Sequence, residues 1–123
     1  MTRPLLVVDD DTDLREALEE ALRDAGYAVL GAGNGREALE VLARARPLPG
    51  LVLLDMMMPV LDGVGFAREM RAVPEWKDIP VVVFSASASN AAVALEVGAC
   101  AYLRKPADVE VLMETVGQHV LRE

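Results

Sequence analysis

Three short runs of this chain, "PLLVVD" (4–9), "LVLLD" (51–55) and "IPVVVFS" (79–85), are apolar almost continuously rather than at alternate positions. A strand with one wet face alternates polar and apolar side chains, whereas a continuously apolar strand must be covered on both faces. That requirement points to a parallel sheet held between two layers of helix. The intervening sequence supplies the helices. From Asp13 to Ala25, the residues Leu14, Ala17, Leu18, Ala21, Leu22 and Ala25 recur at helical spacing, and Gly26 stands where a helix C-terminal glycine belongs. "YAVL" (27–30) reads as a second strand. Asn34 caps the next helix with Glu37 three residues on, as in a capping box, and Ala38, Val41, Leu42 and Ala45 form its buried face. A helix from about Gly63 to Ala72 turns Phe66, Ala67 and Met70 inward, and a short Ala-rich helix runs from Asn90 to Val97, ending at Gly98. "CAYLRK" (100–105) is the fifth strand, and a last helix from Asp108 to about Leu121 buries Val109, Leu112, Met113, Val116 and Val120. The expected fold is α/β: (βα)5, a doubly wound five-stranded parallel sheet. "RARPLPG" (44–50) and "AVPEWKD" (72–78) are loops, with Trp76 partly exposed in the second.

Length and charge bound what such a sheet can serve. At 123 residues and 53% apolar, the chain is expected to be a single domain over 1–123 with no effector domain beside it. Acidic residues outnumber basic ones 20 to 12, for a net charge of -8, which disfavours nucleic acid and anionic lipid as partners. With one cysteine, Cys100, there is no internal disulfide framework, and a reducing, cytoplasmic setting is expected. Cys100 reads as a small buried residue and His119 as a solvent-exposed one. No run approaches the ~18 apolar residues of a membrane span. The N-terminal apolar run is cut off by three acids and does not read as a signal peptide.

In open parallel sheets, ligands bind outside the carboxyl ends of the strands. The first strand delivers Asp9, Asp10 and Asp11 there, the third Asp55, the fourth Ser85, and the fifth Lys105 followed by Pro106. Carboxylates brought within a few ångströms repel and raise one another's pKa unless a cation joins them. Lys105 offsets one charge, and a hard divalent ion with oxygen ligands, Mg²⁺, would offset more while leaving room for phosphate oxygens. A carboxylate in that setting can act as a nucleophile towards phosphorus, so the set reads as one that makes and breaks an aspartyl phosphate. "GAGNG" (31–35) is a turn, because Arg36 stands where a dinucleotide fingerprint needs its last glycine. No G-x-x-x-x-G-K-[ST] occurs, which argues against a P-loop enzyme. Met56 to Met58, without Cys or His nearby, read as loop and edge packing rather than soft-metal ligands. Asp9 or Asp10 could simply cap the first helix, although Asp11 or Asp13 serves as well. Asp62 with Gly63 reads as the cap of the third.

From end to end, the chain resembles the response-regulator receiver domains of two-component signalling. The resemblance is carried by "VVDD" (7–10), "NGREAL" (34–39), "DMMMPVLDG" (55–63), "FSA" (84–86) and "GACAYLRKP" (98–106), in that order. It implies a flavodoxin-like sheet of order 2-1-3-4-5 and a role for each residue. Asp55 would be the phosphoacceptor. Mg²⁺ would be held by Asp10, Asp55 and the backbone carbonyl of Met57, with Asp9 assisting largely through water. Lys105 would hold a phosphoryl oxygen, Ser85 and Tyr102 would be the switch pair, and the Lys105–Pro106 bond would be cis. The phosphodonor would be a phosphohistidine on a sensor histidine kinase or histidine phosphotransfer protein, or a small molecule. The chain would be a signalling switch that catalyses only its own phosphorylation and dephosphorylation, changing its surface around the fourth helix, fifth strand and fifth helix. Two other readings share the residues. A metal-dependent aspartyl-phosphate hydrolase usually needs an acid two positions after the nucleophile, where Met57 stands, and a cap domain. A degenerate receiver acting only as an interaction module would have no need to keep Asp10, Asp55 and Lys105 together. Met57 and Ser87 occupy positions where receivers vary their dephosphorylation rates. The segment from Ser85 to Gly98 is shorter than in most receivers, which trims the fourth helix or the loop before it.

Overall fold

The computed structural model of the chain describes residues 2–58, 60–86, 90–106 and 108–122, with Asn90 and Ala91 described by backbone alone. Ser87, noted above with Met57, lies outside them. Among the described residues, ten elements alternate along the sequence: β1 (Leu5–Val8), α1 (Thr12–Asp24), β2 (Val29–Ala32), α2 (Gly35–Arg44), β3 (Leu51–Leu54), α3 (Gly63–Arg71), β4 (Val81–Ser85), α4 (Asn90–Glu96), β5 (Ala101–Arg104) and α5 (Val109–His119). The strands pair in parallel in the order β2-β1-β3-β4-β5.

Every residue of β1, β3 and β4 is buried, as their unbroken apolarity requires. Alternate side chains feed opposite faces of the sheet. Leu6, Val8, Val52, Leu54, Val81 and Val83 pack with Ala38, Leu42, Phe66, Met70 and Ala94 of α2, α3 and α4. Leu5, Val7, Leu51, Leu53, Val82 and Phe84 pack with Leu22 of α1 and with Leu112 and Val116 of α5. Each fully buried Leu, Val or Phe contributes about 1.5–3 kcal/mol. The helices begin where side chains meet otherwise unpaired backbone N–H groups. Asp11 caps α1 through the Leu14 N–H, Asn34 caps α2 through that of Glu37, and Asp62 caps α3 through that of Gly65. Asp11, rather than Asp9 or Asp10, therefore caps α1. Asp108 caps α5 through the N–H of Glu110.

Four expectations need correction. The second strand lies two residues later than "YAVL", because Gly31 and Ala32 pair with Val7 and Val8 at its far end. Val109 is 57% exposed, because it borders an open cavity beside Leu14, Ala17 and Leu18 of α1. Cys100 is exposed rather than buried, although its thiol reaches the Val81 carbonyl at 3.4 Å. His119, at the last turn of α5, is half-buried rather than free in solvent. Trp76 is half-buried against the core, and the Lys105–Pro106 bond is cis, both as expected.

Candidate functional site

The register of the sheet assembles the site. The last paired rung between β1 and β3 is Val8–Leu54, and one residue beyond it stand Asp9 and Asp55. The ladder continues past the strands: the Asp55 N–H donates to the Val8 carbonyl at 2.9 Å, and that of Asp9 to the Ala32 carbonyl at 3.1 Å. On the other side, the Lys105 N–H donates to the Ser85 carbonyl at 2.8 Å, which ties the end of β5 to the end of β4. By alternation, Lys105 follows Leu103 towards the α1/α5 side, and its ammonium lies 5.6 Å from the centre of the Phe84 ring.

Asp9, Asp10 and Asp55 thus meet, with one carboxylate oxygen from each lying within 4.8 Å of the others. Lys105 Nζ is 2.7 Å from Asp9 Oδ2 and 3.7 Å from Asp55 Oδ1. The lysine therefore leans on Asp9 and leaves Asp55 less compensated. Asp9 Oδ1 accepts the Asp11 N–H at 2.9 Å, which closes the turn into α1. Asp55 Oδ1 accepts the Met57 N–H at 3.4 Å. Asp55 is only 7% exposed, and burial raises its pKa from 3.8 to about 6. Lys105 and the Met57 N–H pull the other way, while Asp9 and Asp10 add to the rise. Asp10 is exposed at the mouth, where a cavity of about 320 Å³ is lined by Asp10, Met56, Met57, Met58 and Asp62. The three methionines divide: Met56 and Met58 are buried, whereas Met57 is 68% exposed.

Ser85 is fully buried and continues the Val81–Val83 row. Tyr102, opposite Val83 in the register, packs on that same side of the sheet, so the serine and the tyrosine share a face. The loop after Asp55 is tightly constrained. A Cβ on Gly63 would lie 2.7 Å from the Met56 Cα and 2.8 Å from the Asp55 carbonyl, so only glycine lets α3 start so close to Asp55. Within this loop, Val60 holds φ +71°, a left-handed conformation disfavoured for a β-branched residue.

Asp9, Asp10, Asp55, Ser85 and Lys105 are thus brought to one edge, and Tyr102 lies beneath it on the sheet. The sequence reading missed Arg15, whose guanidinium donates to the Asp9 carbonyl at 2.9 Å. Its signal was the spacing of Arg15, Glu19 and Arg23, an i,i+4 ladder on the side of α1 nearest β2.

Residues 5–117 match the family model of the response regulator receiver domain. The response regulator MprA of Mycolicibacterium vanbaalenii is 43% identical over 111 residues, which are 89% of this chain and 46% of that protein. The chain thus spans about half the length of such relatives. Among solved structures, the chemotaxis response regulator CheY4 of Vibrio cholerae superposes with a TM-score of 0.88 at 31% identity, covering 98% of this chain and 100% of that one. A putative response regulator from Chloroflexus aurantiacus gives 0.88 at 33% identity, covering 96% and 97%. The chain belongs to the response-regulator receiver family.

Proposed function

We propose that the chain is a phosphoacceptor switch in which Asp55 takes a phosphoryl group from a phosphohistidine, carried by a sensor histidine kinase or a histidine phosphotransfer protein, or from a small-molecule donor. The observation that carries this reading is the convergence of the Asp9, Asp10 and Asp55 carboxylates within 4.8 Å, with Lys105 beside them. An all-oxygen set with surplus negative charge and a half-open mouth suits Mg²⁺. Asp10, Asp55 and the Met57 carbonyl would hold the ion, with Asp9 assisting largely through water. Bound there, Mg²⁺ supplies positive charge that offsets the carboxylates and the phosphoryl oxygens.

The residues of the chain supply the rest. An Asp55 oxygen attacks phosphorus, the P–N bond of the phosphohistidine breaks, and its electron pair leaves with the imidazole. Burial keeps Asp55 poorly solvated, which leaves its carboxylate reactive. Lys105 pairs with a phosphoryl oxygen by moving off Asp9, a short reach from its present position. Ser85 donates to another, and Tyr102 follows it along their common face. The thioether of Met57 offers an attacking water no hydrogen bond, so the phosphoryl group is retained rather than rapidly hydrolysed. The Met at position 57 also disfavours the hydrolase reading.

The test is mass spectrometry of the chain with Mg²⁺ and a small phosphodonor. One phosphoryl group should be added to the parent and none to Asp55→Asn, and chelating the metal should stop labelling. Equal labelling of the mutant would overturn the assignment.

A further inference from the structure

Outside the acidic cluster, α1 carries a device aimed at its backbone. Arg15 Nη1 donates to the Asp9 carbonyl at 2.9 Å, and Arg15 Nε pairs with Glu19 Oε2 at 3.5 Å. Glu19 is braced in turn by Arg23 at 3.5 Å. The Arg15 and Glu19 side chains are only 20% and 12% exposed, unlike a solvated helix pair. The end of β2 leaves room for them. A Cβ on Gly31 would lie 2.7 Å from Glu19 Oε2, and one on Gly33 would lie 3.2 Å from Arg15 Nη1. The carbonyl that Arg15 grips belongs to the peptide linking Asp9 to Asp10. Fixing that peptide plane fixes the direction in which Asp10 leaves the chain, and Asp10 is the exposed member of the cluster.

We propose that Arg15 is a positioning residue for the cation site, holding the Asp9–Asp10 peptide so that the Asp10 carboxylate faces Asp55. The inference rests on the reading that Mg²⁺ binds there. It also makes an unusual demand on sign. By charge alone, a guanidinium next to the site repels a divalent cation, so removing it should tighten binding. By position, removing it should weaken binding, because the carboxylate loses its preset direction.

Calorimetric titration of the metal-free chain with Mg²⁺ separates the two. Arg15→Gln should lower affinity at least fivefold despite the lost positive charge, and the Asp10 amide resonance should shift before any metal is added. Arg15→Lys, which can still donate to the carbonyl, should recover at least half of the loss on a logarithmic scale. Phosphorylation of Arg15→Gln should approach the parental rate once Mg²⁺ is saturating. Unchanged or tighter binding in Arg15→Gln, or no recovery with lysine, would overturn the proposal. Should Arg15→Gln fail to fold, Gly33→Ala crowds the guanidinium with every charge retained and should lower affinity about twofold. Unchanged affinity there would overturn the proposal as well. A parent chain that binds no Mg²⁺ would overturn the metal reading itself, a separate outcome from parent and variant binding it equally.

Discussion

At the scale of the residue, Asp55 is held in a state that costs the fold stability. Its pKa is raised from 3.8 to about 6, chiefly by burial. A carboxyl whose folded pKa lies above its unfolded one binds its proton more tightly in the native state. The stability it contributes is fully present below pH 3.8 and is lost as pH rises through about 6. Above that range the ionised group destabilises the metal-free fold by about 1–2 kcal/mol, less than the whole shift implies because water reaches one edge of the site. Asp55→Asn, neutral at every pH, should therefore be more stable than the parent at pH 7 without metal, with little difference at pH 4. Urea unfolding in the presence of a chelator measures this, and a mutant no more stable at pH 7 would refute it. Adding Mg²⁺ should narrow the gap by stabilising the parent. Asp55 could be found in the sequence because a charged residue ending an apolar strand needs a reason. For Arg15 the i,i+4 spacing with Glu19 and Arg23 marks only a charged ladder on α1, because an arginine on a helix face looks the same whether it meets water or a carbonyl of the site.

At the scale of the element, what was legible followed from periodicity. Continuous apolarity marked β1, β3 and β4, and the capping residues Asn34 and Asp62 stand where their helices begin. The miss at β2 has a physical cause. Gly31 and Ala32 have weak strand propensity, and they are extended because β1 pairs with them. The strained turn after Asp55 was equally invisible, because "PVLDG" does not announce a left-handed valine. Val60 holds φ +71° with 79% of its surface exposed, so little packing offsets the strain. Glycine adopts that conformation freely. Val60→Gly should accordingly raise stability by about 1 kcal/mol, after the entropy glycine loses on folding is deducted. A higher urea midpoint with an unchanged slope is the expected result. A lower midpoint would show that the valine side chain holds the loop through contacts.

At the scale of the whole molecule, one sheet joins a buried charge site to a distant surface. Asp9, Asp55 and Lys105 sit at the edge of the sheet, while Ser85 and Tyr102 lead down the face packed by α2, α3 and α4. The helix α4, Asn90–Glu96, is short, in keeping with the brief segment between Ser85 and Gly98. Leu95, near its end, is 77% exposed, so a small displacement there changes what a partner meets. Phosphorylated, Asp55 would carry nearly two negative charges on phosphoryl oxygens in place of the carboxylate's one, and they would draw donors inward. On the proposed reading, the chain would visit the inward state as a minority, and phosphate would tip the balance. Moving it from 1:99 to 99:1 takes about 5.5 kcal/mol of preference. Charge-assisted bonds from Ser85 and Lys105, at roughly 1.5–3 kcal/mol each, would supply much of that. Ser85→Ala removes one donor while leaving the nucleophile and the lysine in place. It should accept phosphate yet shift only part of the way. NMR reads this directly: on phosphorylation, the resonances of Tyr102 and of α4, β5 and α5 should stop between their resting and fully switched positions. Full parental shifts in Ser85→Ala would mean that the surface answers to the phosphoryl group by a route that bypasses the serine.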